Sequence, residues 1–173
     1  MFNIEVNENI ERIIHNIDAN KAKIELAAVI ALNKTASWLK AQATKEISEE
    51  KRIKLTVIRK RLRVVKANRN TLTALVRANL YDVKVSSIGR MKQGKKGAEI
   101  GKYQITGAFI ATMPRGYKGA FKREGKTALP IKEVKLPLEP EASRIIENFV
   151  NYEVEEVFEK FFESELSYIT RNV

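Results

Sequence analysis

No glycine or proline occurs between Met1 and Gly89, so nothing in that half of the chain forces a break in a helix or strand. Within it, Leu26, Val29, Leu32, Ala36, Leu39, Ala43 and Ile47 recur at steps of three or four, which is one helical stripe. Ile10, Ile13, Ile14 and Ile17 form an earlier stripe. Asp18-Ala19-Asn20 lies between the two and suits a helix end followed by a cap. The spacing predicts helix over residues 8–49, as two helices or as one with a bend. Ala27 and Ala28 leave room for a closely packed neighbour. Residues 54–62 predict a short helix with Leu55, Ile58 and Leu62 on one side and Arg59, Lys60 and Arg61 elsewhere, and residues 63–66 then extend. Residues 71–80 predict a strand, continued through 81–88 by the alternation of Tyr81, Val83 and Val85 with Asp82, Lys84 and Ser86.

After Gly89 the texture changes. Residues 89–102 mix Gly89, Gly94, Gly97 and Gly101 with lysine and arginine and predict a flexible basic loop or hairpin tip. Short β-favourable pieces at 103–105, 108–113 and 121–123 are separated by turn residues and predict hairpins. Residues 129–138 predict a strand near an edge, bounded by Pro130 and Pro137. Pro140 and Glu141 suit the first turn of a last helix over about 140–170. Its apolar face carries Ile146, Val150, Val154, Val157, Phe158, Phe161, Phe162, Leu166 and Ile169, and glutamates largely hold the other face. No internal repeat is visible. The expected fold is α+β: a small antiparallel β-sheet packed with a long N-terminal helix and a long C-terminal helix. The chain of 173 residues suits a single domain, with N-terminal helices over about 8–49, a basic β-rich middle over about 54–138 and the C-terminal helix.

Composition removes several kinds of chemistry. There is no cysteine and one histidine, His15, so disulfides, thiolate catalysis and Cys-ligated metals are excluded, and no His pair exists for a metal. No cofactor is expected. The longest apolar run, Leu26 to Leu32, is too short to span a bilayer, and the first residues lack a signal-peptide pattern. The expectation is a cytosolic, basic, non-enzymatic protein. Its net charge of +11 is unevenly spread. Residues 1–50 carry −2, residues 51–126 carry 21 basic and 3 acidic side chains, and residues 127–173 carry −5. A middle so basic either faces a polyanion such as nucleic acid, or forms a solvated face that pairs with the acidic C-terminal segment.

Glu124-Gly125-Lys126 with Asp82 upstream is the one enzyme-like grouping, since two carboxylates and a lysine can hold a divalent ion in a nuclease. Gly125 instead favours a turn there, and such spacing is common by chance in a chain that is 31% charged. The glycines of 89–101 lack the Gly-Lys-Ser/Thr end of a P-loop. His15 reads as a helix residue, Trp38 as core or interface, and Phe158, Phe161 and Phe162 as core in preference to a docking surface. Tyr81, Tyr103, Tyr117 and Phe121 are too few and too scattered for base stacking along a sheet, so phosphate contact without base readout fits better.

A family resemblance adds to this reading. Ile105-Thr106-Gly107-Ala108-Phe109-Ile110-Ala111, Gly116, Arg123, Gly125-Lys126, Leu129-Pro130-Ile131, Val134 and Leu136-Pro137-Leu138 resemble the minor tail protein Z family of long-tailed phages. The alanine-rich stretch Ala27 to Ala36, the basic Ile58-Arg59-Lys60-Arg61-Leu62 and the C-terminal helix follow the same order, over roughly residues 20–170. The resemblance implies a structural, non-catalytic virion protein acting late at the head-proximal end of the tail, in tail completion or head–tail joining. It implies other tail or head–tail connector proteins as partners, a homo-oligomer on the tail, and location in the virion tail after assembly in the bacterial host cytoplasm. On that reading Arg90, Lys92, Lys95, Lys96, Lys102, Arg115, Lys118, Lys122, Arg123 and Lys126 are the candidate contacts with phage DNA or with a partner. The rival readings are a free sequence-non-specific nucleic-acid-binding protein and the nuclease.

Overall fold

The structure, a computed structural model, describes residues 21–171. The expected early stripe, the boundary at Asp18-Ala19-Asn20 and His15 lie outside the described residues. Helix α1, Lys21–Glu50, is the central element. It buries Ile24, Ala27, Ala28, Ala31, Leu32, Thr35, Ala36, Leu39, Ala43, Thr44 and Ile47, a band wider than one stripe. Leu26 and Val29, expected in the stripe, are half-buried at its flank. The alanines hold the centre because their small side chains let neighbouring helices approach, and alanine is the best helix former.

A short helix α2, Leu55–Arg59, follows. It is shorter than 54–62 because Leu62 already enters strand β1, Leu62–Val65, and Leu55 is 44% exposed. Strand β1 pairs antiparallel with β2, Leu75–Ala78, in the register Leu62↔Ala78, Arg63↔Arg77, Val64↔Val76 and Val65↔Leu75. Its inner face, Leu62, Val64, Val76 and Ala78, packs into the core. Asn33 anchors this hairpin to α1: its side-chain amide donates to the Ala67 carbonyl at 3.1 Å, and its oxygen accepts the Ala67 N–H at 2.8 Å.

The strand predicted to continue through 81–88 does not do so. The Arg61 guanidinium binds the carbonyls of Asn79, Tyr81 and Asp82, which turns the chain, and Tyr81 is 82% exposed. Strand β3, Val83–Lys84, pairs instead with β10, Lys135–Leu136, and Val85–Ser87 form a 3-10 turn. Residues 89–102, expected to be a flexible loop or hairpin tip, form most of a three-stranded antiparallel meander of two hairpins. Its strands are β4, Met91–Gly94, β5, Gly97–Ile100, and β6, Tyr103–Thr106. A second three-stranded sheet holds β7, Ala108–Thr112, β8, Lys118–Arg123, and β9, Ile131–Glu133. The strand predicted over 129–138 is therefore split at Val134. Its N–H bonds Ala120 at 2.9 Å while its carbonyl accepts from Val85 at 3.3 Å, so the chain passes from one sheet to another there. The fold is α+β as expected, with the middle of the chain divided into four small antiparallel sheets in place of one.

The last helix is also two. Helix α3, Glu141–Tyr152, and helix α4, Val154–Arg171, meet at Glu153, whose φ of −125° leaves helical geometry. The break lets both helices lie on α1. Phe149 of α3 meets Trp38 edge to face at 5.8 Å, and Phe158 and Phe162 of α4 stack at 5.8 Å and are buried. Phe161 is half-buried under Lys34, which also pairs with Glu165. One cluster of buried residues runs from Ile24 to Phe162 through helices and sheets. No helix among the described residues is long and apolar enough to cross a membrane.

Gly97 is the tightest backbone position. Its φ is +151°, and a Cβ there would sit 2.0 Å from the Ile105 carbonyl oxygen across the β5–β6 pair. Gly97→Ala is expected to cost about 2 kcal/mol through strain and overpacking, read as a lowered unfolding midpoint in urea.

Candidate functional site

All ten cations singled out in the sequence are exposed. Lys92 stands on β4, Lys95 and Lys96 form the two-residue turn between β4 and β5, and Gly101-Lys102 form the turn between β5 and β6. Arg90 directly precedes β4. Lys118, Lys122 and Arg123 lie on β8, Arg115 at the β7–β8 turn, and Lys126 beyond β8. The two groups stand on adjoining sheets that Gln93 bridges into a two-sheet platform, on which Lys122 and Arg123, successive in β8, point to opposite faces. The Gln93 side-chain oxygen accepts the Ile110 N–H at 2.9 Å, and its amide reaches the Ala108 carbonyl at 3.4 Å. The Gly107 N–H also bonds the Lys96 carbonyl at 3.0 Å.

Within the platform Glu99 stands opposite Lys92 in the β4–β5 register. None of the ten cations forms an ion pair with the described residues. The acidic C-terminal segment pairs with other bases: Glu133 with Lys84 and Glu141 with Lys51, both of the basic middle, and Glu165 with Lys34 of the first segment. Arg123 lies over the Phe109 ring at 5.5 Å, and Phe109 faces Phe121 across the ladder. Arg115 holds φ of +77° beside Gly116 at +78°, a turn conformation that favours Asn or Gly over Arg. A cation is thus kept at an exposed tip at a backbone cost of about 1 kcal/mol.

A polar junction links the start of β8 to β9 and the 3-10 turn at Val85–Ser87. Glu133 on β9 accepts from the Tyr117 hydroxyl and pairs with Lys84 at 3.0 Å, and Tyr117 also contacts Ser86 at 2.9 Å. Lys84 stands 5.0 Å from the Tyr117 ring centre. Burial pushes the Glu133 carboxyl up, but hydrogen bonds from Tyr117 and Lys84 and the charges of Lys84 and Lys135 outweigh it and hold it below the usual glutamate value. The bond that Lys84 donates to Glu133 raises its ammonium above the usual lysine value. A depressed carboxylate stabilises the fold above its unfolded value and loses that contribution as pH falls through its folded value. Glu133→Gln is therefore expected to flatten the fall in melting temperature below about pH 4.5, where the wild type loses stability.

The two carboxylates of the nuclease grouping have different neighbours. Glu124 pairs with Lys132, easing the like-charge register Lys122↔Lys132. Asp82 instead lines a cleft of about 630 Å³. No group of three or more His, Asp or Glu side chains fit to hold a metal occurs among the described residues.

That cleft is what sequence reasoning missed. Lys60, Arg61, Arg63, Arg77, Tyr81, Asp82 and Glu139 line it. Burial pushes the Arg61 guanidinium down and the Asp82 charge pushes back, in keeping with its structural bonds to carbonyls. The available signal was the alternation in Leu62-Arg63-Val64-Val65 and Leu75-Val76-Arg77-Ala78, which sets both arginines on one face once the register is known.

The comparisons with known proteins agree with this architecture's sequence. The model of the family described as prophage minor tail protein Z (GPZ) matches residues 8–173. The chain is 27% identical to the tail completion protein of Escherichia phage N15, over 76% of this chain and 78% of that protein. It is 24% identical to tail completion protein Z of Escherichia phage lambda, over 76% of this chain and 79% of that one. No solved structure matches it significantly. With a family match across nearly its whole length, the chain belongs to the prophage minor tail protein Z family.

Proposed function

We propose that this chain is a tail-completion subunit of a phage or prophage, acting at the head-proximal end of the tail beside other tail or connector proteins. It acts in the virion tail, having assembled in the host cytoplasm, and it is a non-catalytic ring subunit. The two-sheet platform faces DNA in the channel and contacts phosphates without reading sequence. The observation that carries the DNA part is the set of ten exposed cations on and beside β4–β8, none ion-paired with the described residues. Exposed cations on strands and their turns and flanks, with few aromatic companions, suit any passing duplex.

The test is to delete the gene from the source prophage and supply it from a plasmid. Deletion is expected to leave heads and tails but few functional joined particles, and the plasmid to restore them. Normal infectious particles without the protein would refute the reading. The rival reading, a free nucleic-acid-binding protein, requires the same cations but predicts normal particles after deletion.

A further inference from the structure

We infer that the outer face of the β1–β2 hairpin is the docking site for helix α4 of a second copy of this chain, joining copies head to tail. This rests on the ring-subunit reading and gives it an interface. The outer face is two cross-strand pairs, Arg63↔Arg77 and Val65↔Leu75. Arg63 and Arg77 are exposed and form no ion pair with the described residues, while Val65 is 40% exposed. Like charges set directly opposite destabilise a ladder unless something answers them. A phosphate chain answers the arginines but has no use for the adjoining aliphatic pair. A protein surface with carboxylates and carbon answers all of these.

The chain itself carries such a surface. Glu159 and Glu163 are exposed on α4, one helical turn apart. Neither forms an ion pair with the described residues. Side chains at this spacing have Cβ atoms about 5–6 Å apart. Directly opposed residues such as Arg63 and Arg77 have Cβ atoms about 5 Å apart. Two guanidinium groups could thus each meet one carboxylate of the partner helix, the charge pairing for which arginine is well suited. Because the two patches are different surfaces of one chain, the contact is heterologous and repeats from copy to copy, as a ring requires.

Sedimentation velocity on the full chain tests this, with the variants R63E/R77E and E159R/E163R. Wild type is expected to self-associate in 50 mM salt and to dissociate in 500 mM, since exposed charge pairs are screened. Each variant alone is expected to associate at least tenfold more weakly, with an unchanged melting temperature. An equimolar mixture of the two should recover association, because each face then meets its opposite charge. A monomeric wild type in 50 mM salt, variants that associate normally, or a mixture that stays monomeric would each overturn the inference. So would loss of oligonucleotide binding in R63E/R77E with self-association intact. If the charge reversal unfolds the hairpin, R63Q/R77Q replaces it, with the same tenfold weakening expected. Wild-type incorporation into tails is scored separately: a protein that enters tails but fails these tests keeps the tail role and loses this interface.

Discussion

Leu39→Ala is expected to destabilise the protein by about 3 kcal/mol, within the 2–5 kcal/mol range for truncating a buried leucine. Leu39 is 1% exposed in the middle of α1, where the buried band of that helix meets the other helices. The loss combines the transfer energy of the removed carbons with a cavity that packed helices cannot close. A domain of this size gains or loses about 2–4 °C of melting temperature per kcal/mol, so a fall of roughly 10 °C is expected. Ala41, exposed on the same helix, is the control. Ala41→Leu should change stability by less than about 0.5 kcal/mol. Equal effects at both positions in thermal melts would mean that α1 is not the central packing element.

Replacing Lys92, Lys95 and Lys96 together by alanine is expected to have the opposite signature. These side chains are exposed and carry no ion pair with the described residues, so the melting temperature should stay within a few degrees. Polyanion binding should suffer. Each phosphate contact contributes about −0.9 to the slope of log K against log salt, so three lost contacts should reduce the slope by about 2.7. Between 50 and 200 mM salt that is roughly a 40-fold smaller loss of affinity than the wild type shows. Phage titre should fall with it. An unchanged slope, measured by fluorescence anisotropy on duplex DNA, would remove these lysines from the DNA-facing surface. A large drop in melting temperature would assign them to the fold.

These predictions draw on features of unequal legibility. The span of α1 within the described residues, the start of the last helix after Pro140, and the hairpins at 103–123 follow from helical spacing, turn residues and β-branched runs. Local rules failed where a distant group decides. Nothing near Asn79 announces that Arg61 will take three carbonyls and end the strand there. Nothing near Val134 announces that Ala120 and Val85 will draw its two backbone groups into different sheets. The break at Glu153 has no glycine or proline to mark it; it answers the packing of Phe149 and Val154 on α1. The glycines of 89–101 were misleading as flexibility signals. Gly97 is demanded by a strand crossing at close range, and Gly101 by a two-residue turn. The candidate cations were legible as charge, but their common platform was not, because Gln93 makes it by joining β4 to β7. The Arg63–Arg77 pair needed the register of a hairpin whose connection spans residues 66–74.

The central claim, a subunit that completes the tail at its junction with the head, is tested most directly by locating the protein in particles. Particles induced from the source strain should be purified, analysed by mass spectrometry, and labelled with antibody for electron microscopy. The account predicts the protein in complete particles, with label confined to the head–tail junction. Its absence from complete particles, or label along the tail shaft or at the distal tip, would contradict the account.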